Sequence, residues 1–324
     1  MKLTLEEFQA ITTGAVALEQ EEKGVRFFRF NQEQRELRQP RVTYPAEKMY
    51  STAGIQFFFR TNSRSLYLRT TVEKGSASDH FSFDLFVNGQ HTDSLENLST
   101  RELGTYEKTF RLGEGEKDIC LYFPWSVGVV IEELSLEEGA SLTPTLPEKK
   151  LLVYGDSVTH GNTVRYSCNH YIPRLSRAMG VQVRNKAIAG SSSFPEMVQA
   201  ESPYDPDYVL VAYGSNDWDR YEEAFFAENY RLMMQLIAEK YPRAQVLVIT
   251  PIWRGNTASA IGSFEACRNA IAEAAEARGM IHIDGLDMVP PIPELFADGW
   301  LHPNALGFGF YGENFTREIL KHLK

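Results

Sequence analysis

Cysteine is scarce in this chain: three in 324 residues, at positions 120, 168 and 267, with no CxxC pair. An odd, scattered set supports neither a disulfide framework nor a cysteine zinc site. It suits a reducing compartment, so a cytoplasmic protein is expected. Long apolar runs are missing too, and nothing approaches the roughly 18 residues of a membrane span. The opening Met1-Lys2-Leu3-Thr4-Leu5-Glu6-Glu7-Phe8 turns acidic before an apolar core can build, so it does not read as a signal peptide. Basic residues are outnumbered: the net charge is −10, shared evenly between residues 1–150 and 151–324. A uniformly acidic chain is a poor partner for nucleic acid or an anionic membrane surface. No Walker sequence, HExxH or EF-hand loop occurs, and nothing suggests a metal or an organic cofactor. GxSxG, the nucleophile elbow of α/β-hydrolases, is also absent. Gly307-Phe308-Gly309-Phe310-Tyr311-Gly312 matches GxGxxG, but no strand precedes it and only 12 residues follow, so it reads as a helix start.

What is present divides in two. The length favours two domains, and 43% hydrophobic with 23% charged residues is ordinary for a globular protein. Residues 25–138 are β-rich, with strand candidates at 25–30, 55–60, 65–71, 81–87, 106–112, 117–123 and 127–136. The run Phe81 to Val87 ends at Asn88-Gly89, a hairpin signal. Short strands at this spacing predict a jelly-roll-like β-sandwich over residues 1–145, with a helix at 4–20 before it. Gly139 to Lys150, carrying Pro144 and Pro147, reads as a linker. From 146 to 324 strands and helices alternate: strands at 150–154, 181–188, 207–213, 245–250 and 280–284, helices at 168–179, 221–241, 259–278 and 303–322. Runs such as Tyr208-Val209-Leu210-Val211-Ala212-Tyr213 are apolar on both faces, as buried parallel strands are. The expectation is a three-layer α/β/α domain.

Four polar segments fall after predicted strands or in the last loop: Gly155-Asp156-Ser157, Asn185 to Ser191, Gly214-Ser215-Asn216-Asp217, and Asp298-Gly299-Trp300-Leu301-His302-Pro303-Asn304. Parallel strands share one carboxyl edge, where ligands of open α/β sheets bind, so the four can converge. Each has an ordinary reading: Ser157 as a helix cap, Asn216 and Asp217 as a turn, His302 before Pro303 as a helix start. The set as a whole favours chemistry. A serine hydroxyl is a weak nucleophile until a base takes its proton, and a histidine can do so near neutral pH.

In order and content these blocks resemble the SGNH, or GDSL, hydrolases over about residues 150–324. The resemblance implies Ser157 as nucleophile and His302 as general base. It implies an oxyanion hole made by the Ser157 N–H, the Gly190 N–H and the Asn216 side-chain amide. Asp156 and Asp217 are expected to brace loops. The family pattern Asp-x-x-His is one residue longer here, Asp298 to His302. Three readings stay open: Asp298 reaches the ring across a bulged loop, a backbone carbonyl replaces it in a Ser–His dyad, or Asp284, Asp287 or Glu294 serves. His160 is a loop residue or a substrate contact. Trp218, Trp253 and Trp300 either pack the domain or line a substrate pocket, and Trp125 fits sandwich packing or a domain interface. A sandwich ahead of such a domain resembles two-domain carbohydrate esterases that remove acetyl groups from sugars. The implied function is a serine esterase acting on a small-molecule or oligosaccharide ester. The alternatives are a short-chain lipase or thioesterase, and a non-catalytic carbohydrate-binding protein.

Overall fold

A computed structural model describes all residues except 40, 43–45, 77 and 323–324. The amino-terminal part is a sandwich of two antiparallel sheets. One runs in the order 12–13, 56–61, 117–122, 81–87, 90–97, with 143–144 added beside 56–61; the other runs 17–20, 25–28, 127–136, 65–74, 104–111. Alternation builds the core: in Ser65–Lys74, Leu66, Leu68, Thr70 and Val72 face inward and are almost fully buried. Between the sheets aromatic rings meet edge to face, Phe57 on Phe123 at 4.7 Å and Phe27 on Phe123 at 5.1 Å. Asn88 and Gly89 take φ of 51° and 78°, the double left-handed geometry of a tight hairpin.

Three sequence expectations need correction here. The helix predicted at 4–20 spans only Leu5–Ile11, opened by a Thr4/Glu7 capping box. It stops because Thr12 and Thr13 pair with Phe57 and Gln56, and Gly14 then turns at φ 82°, where a Cβ would stand 2.3 Å from the Gly54 carbonyl oxygen. Gln90–Asn97 is a strand with no apolar alternation to reveal it; it lies at a sheet edge and follows the register of Phe81–Val87. The stretch 139–150 is not wholly irregular: Thr143 and Pro144 pair with Arg60 and Phe59, and the first parallel strand begins at Lys149.

The carboxyl-terminal part is a three-layer α/β/α fold. Its parallel sheet runs in the order Val181–Asn185, Lys149–Gly155, Tyr208–Ala212, Gln245–Ile249, Ile281–Ile283. Alternate residues feed opposite faces. Leu152, Tyr154, Val209, Val211 and Val248 pack under helices Glu223–Lys240 and Phe264–Glu276. Leu151, Val153, Leu210, Leu247 and Ile249 pack under Tyr171–Met179 and Ala305–His322. The GxGxxG glycines lie inside that last helix: a Cβ on Gly307 would stand 2.2 Å from the Leu295 carbonyl oxygen, and one on Gly312 would stand 2.6 Å from the Arg174 side chain. Close packing accounts for both. Among the described residues no helix is long and apolar enough to cross a membrane.

Candidate active site

The strand Lys149–Gly155 delivers Ser157 to the carboxyl edge of the sheet, as the first residue of the short helix Ser157–His160. Asp156 caps that turn. Its Oδ1 accepts the Val158 N–H at 3.1 Å, and its Oδ2 accepts the Ser215 N–H at 3.1 Å, tying the first block to the third. Burial raises its carboxyl above the ordinary range. The Ser157 Oγ lies 2.8 Å from His302 Nε2, across 145 residues of chain.

Behind the imidazole, His302 Nδ1 lies 2.7 Å from Asp298 Oδ2. The other carboxylate oxygen accepts three backbone N–H groups, from Trp300 at 3.0 Å, Leu301 at 2.8 Å and His302 at 3.1 Å. This nest, with Gly299 at φ 80°, takes up the additional residue of the loop. Of the three readings open from sequence, the geometry is that of Asp298 reaching the ring. Asp284 is bonded to Arg268 at 2.7 Å, and Asp287 is exposed. Burial pushes the Asp298 carboxyl up, but the His302 ring and the three amides outweigh it and hold it well below the carboxylate range.

Two backbone donors stand open beside the serine: the N–H groups of Ser157 and Gly190 have no acceptor among the described residues. Gly190 holds φ 86°, a conformation that favours glycine. Asn216 donates one amide hydrogen to the Ser191 carbonyl at 2.8 Å, which leaves its second for a ligand. Asp217, fully buried, accepts the Ser193 N–H at 2.8 Å and links the second and third blocks. Burial pushes its carboxyl up to about 6.

Residues 153–309 match the GDSL-like Lipase/Acylhydrolase family. This part of the chain is a GDSL-like lipase/acylhydrolase domain. Solved structures resemble the whole chain in fold. A salicylyl-acyltransferase from a tetracycline biosynthetic pathway aligns at 22% identity over 96% of this chain and 94% of its own, with a TM-score of 0.82. A putative GDSL-like lipase from Bacteroides ovatus aligns at 20% identity over 99% and 97%, with a TM-score of 0.79. A family two carbohydrate esterase from Clostridium thermocellum, in complex with cellohexaose, aligns at 14% identity over 96% and 98%, with a TM-score of 0.65. No curated protein matches the sequence.

Around the Ser157–His302 pair the tryptophans separate. Trp218 is buried against Phe264 in the core, with the Arg254 guanidinium 4.7 Å from its ring centre, and faces no open surface. Trp253 is partly buried against Phe296. Trp300, 38% exposed with the Arg254 guanidinium 5.1 Å from its ring centre, is the most exposed of the three. Trp125 sits where the two parts of the chain meet, its indole N–H donating to the Val164 carbonyl at 2.8 Å. His160 is buried and accepts the Ala189 N–H on Nδ1 at 2.9 Å, with Ser51 Oγ 2.8 Å from Nε2. Burial, with Arg29 and Lys48 adding to it, holds the ring neutral, so His160 is a loop anchor rather than a surface contact. A cleft of about 460 Å³ opens where sandwich residues Ser78, His80 and Arg101 face Asn162, Arg165 and Ala297, next to the His302 loop.

Sequence reasoning missed the brace that the amino-terminal part applies to the second block. Arg29 is completely buried and donates to the carbonyls of Ser51, Asn185 and Ala187 at 2.7, 2.8 and 3.1 Å. Gln39 donates to the Ser192 and Ser193 carbonyls and accepts the Ser192 N–H. Lys48 donates to the Ala189 carbonyl. A strand reading of Phe27-Phe28-Arg29-Phe30 carries no signal for the bonds to Asn185 and Ala187, which lie more than 150 residues away. Elsewhere, Asp84, His91 and Cys168 bring one ligand atom each within 4.8 Å of one another, a donor set that could hold a metal. The Asp84 carboxylate is already satisfied by the Ser94 hydroxyl and the Cys168 N–H, both at 2.8 Å.

Proposed function

We propose that this protein is a serine esterase that removes small acyl groups, chiefly acetyl, from a carbohydrate. The observation that carries the reading is the hydrogen-bonded series Ser157 Oγ–His302 Nε2–Asp298, at 2.8 and 2.7 Å. Asp298 holds the imidazole with its proton on Nδ1, which leaves Nε2 free to accept the serine proton. As Oγ bonds to the ester carbon, that proton passes to Nε2 and the carbonyl π pair moves onto oxygen. The oxyanion is met by the Ser157 and Gly190 N–H groups and the Asn216 amide, and each such donor is worth about 2.7–4 kcal/mol of barrier. Collapse breaks the ester C–O bond, and His302 returns its proton to the departing alcohol. Water then gives a proton to His302 and its oxygen to the acyl carbon. The second collapse frees the acid and restores Ser157.

Two observations support a carbohydrate. Family two carbohydrate esterases share the sandwich-plus-α/β architecture. Trp300 is a partly exposed aromatic ring on the His302 loop, and the neighbouring cleft carries polar groups. We place the boundary between sandwich and esterase domain at residues 145–146, after the Thr143–Pro144 pairing and before the strand at Lys149. We place the protein in the cytoplasm, where its three free cysteines stay reduced. The test is hydrolysis of p-nitrophenyl acetate by wild type, Ser157→Ala and His302→Ala, followed by a panel of acetylated xylo-oligosaccharides, glucose esters, longer acyl esters and thioesters. Turnover of acetylated sugars that vanishes in both variants is the expected result. Faster turnover of longer acyl or thioester substrates reassigns the substrate class, and no turnover of any ester rejects the enzyme.

A further inference from the structure

Three consecutive peptides of the second block are each pinned by a basic side chain. The Ile188–Ala189 peptide gives its N–H to His160 Nδ1 at 2.9 Å. The Ala189–Gly190 peptide presents its carbonyl to Lys48 Nζ at 2.8 Å. The Gly190–Ser191 peptide presents its carbonyl to Arg220 Nη1 at 2.6 Å. Lys48 stands over the loop, 3.5 Å from where a Cβ on Gly190 would lie, and no carboxylate among the described residues pairs with it or with Arg220.

A trans peptide is planar, and its C=O and N–H point in opposite directions. A side chain that fixes the Ala189 carbonyl therefore fixes the Gly190 N–H. That N–H has no acceptor among the described residues and is the donor assigned above to the oxyanion. If the plane turned over, the carbonyl dipole would face the developing negative charge instead of the N–H. Glycine at 190 removes the steric barrier to such a rotation, so the orientation must come from outside the peptide. A charge-assisted bond from an ammonium group suits that task. Lys48 belongs to the amino-terminal part of the chain, on the turn Ala46–Tyr50, and not to the lipase/acylhydrolase domain.

We infer that Lys48 is a positioning residue for the oxyanion hole, and that the amino-terminal part of this chain completes the active site by orienting the Ala189–Gly190 peptide. This inference rests on the esterase reading. In it Lys48 touches no reacting atom; it acts through the Gly190 N–H, an interaction used only as the oxyanion forms. Its loss therefore lowers kcat and leaves KM largely in place.

The experiment compares wild type, Lys48→Met, Lys48→Arg and Ser157→Ala on p-nitrophenyl acetate, and measures inhibition by phenylboronic acid, whose tetrahedral adduct on the serine places an oxygen in the hole. Methionine keeps the length of the side chain and removes its donor. The expected result for Lys48→Met is a fall in kcat of about 10- to 100-fold, a part of the loss seen when a hole donor is deleted. KM stays within about threefold, phenylboronic acid binding weakens in proportion to kcat, and Lys48→Arg recovers most of the activity. Thermal melts of all four proteins identify any variant that fails to fold; if Lys48→Met does, Lys48→Leu, which also lacks a donor, takes its place. A folded variant that keeps kcat within threefold of wild type, with Ser157→Ala inactive, overturns the role of Lys48 and leaves the esterase reading intact. Activity that survives in Ser157→Ala overturns the esterase reading and this inference with it.

Discussion

Replacing Asp298 by asparagine separates two tasks that one carboxylate performs. Oδ2 accepts the hydrogen bond of the His302 Nδ1–H at 2.7 Å, while Oδ1 accepts three backbone N–H groups at 2.8–3.1 Å. Asparagine has one acceptor oxygen. Kept on the three amides, that oxygen holds the loop in place and turns the NH2 group toward Nδ1. Two donors then face each other unless the imidazole moves its proton to Nε2, and in that tautomer Nε2 cannot accept the serine proton. In a fully enclosed triad such a tautomer error costs about 10⁴-fold in kcat. Here the side chains of His302 and Asp298 are 16% and 26% exposed, so water can supply part of the missing acceptor. The expected loss is about 10²–10⁴-fold, or about 3–5 kcal/mol of barrier, with little change in melting temperature. Asp298→Ala should behave differently: it orphans three amides, each worth about 1–3 kcal/mol where buried and less at this half-exposed loop, so stability falls as well. The assay is kcat on p-nitrophenyl acetate beside a thermal melt for both variants. An Asp298→Asn enzyme within threefold of wild type would mean that the carboxylate does not set the tautomer and that a Ser–His dyad suffices.

Two further outcomes test the buried charges around the site. Burial raises Asp217 to about 6 from an ordinary 3.8. A carboxyl raised on folding favours the protonated native state, so its contribution is complete below about pH 4 and is lost as the pH climbs through 6. Asp217→Asn keeps an acceptor for the Ser193 N–H and removes the titration. Its melting temperature relative to wild type should therefore rise between pH 4 and pH 7, by at most about 3 kcal/mol equivalent; a flat difference contradicts the assignment. Lys186, fully buried, lies 3.0 Å from Glu201 and 2.9 Å from Gln34. Lys186→Met should lower unfolding free energy by about 3 kcal/mol, at the low end for breaking a buried pair because Arg184 still holds Glu201 at 3.1 Å. A urea titration measures this, and a loss under 1 kcal/mol would show that the pair contributes little.

Much of the fold was legible because its signals are local. The strands from Tyr208–Ala212 to Gln245–Ile249 read as apolar on both faces because helices cover both. Asn88-Gly89 marked its hairpin through a backbone geometry that few residue pairs accept. The first three blocks lie on one sheet edge because the parallel strands before them all end there, and the last loop joins them through the His302–Ser157 contact. What escaped depends on distant partners. Gln90–Asn97 owes its extended form to Phe81–Val87. The helix from Leu5 gives way after Ile11 to pairing with a strand more than 40 residues later. The Asp298 spacing was ambiguous because a five-residue loop can close in several ways; the three amides on one carboxylate oxygen select among them. Lys48 and Arg29 carry no motif, and their importance comes from which loop they touch.

The claim that matters most is that Ser157 is the nucleophile, and covalent labelling reads it without knowledge of the natural substrate. The intact protein is treated with a fluorophosphonate and digested, and the modified peptide is located by mass spectrometry. One adduct is expected, on Ser157, absent in Ser157→Ala and formed at least about 100-fold more slowly in His302→Ala, where no base takes the serine proton. A wild-type protein left unlabelled, or labelled at another residue, would contradict it.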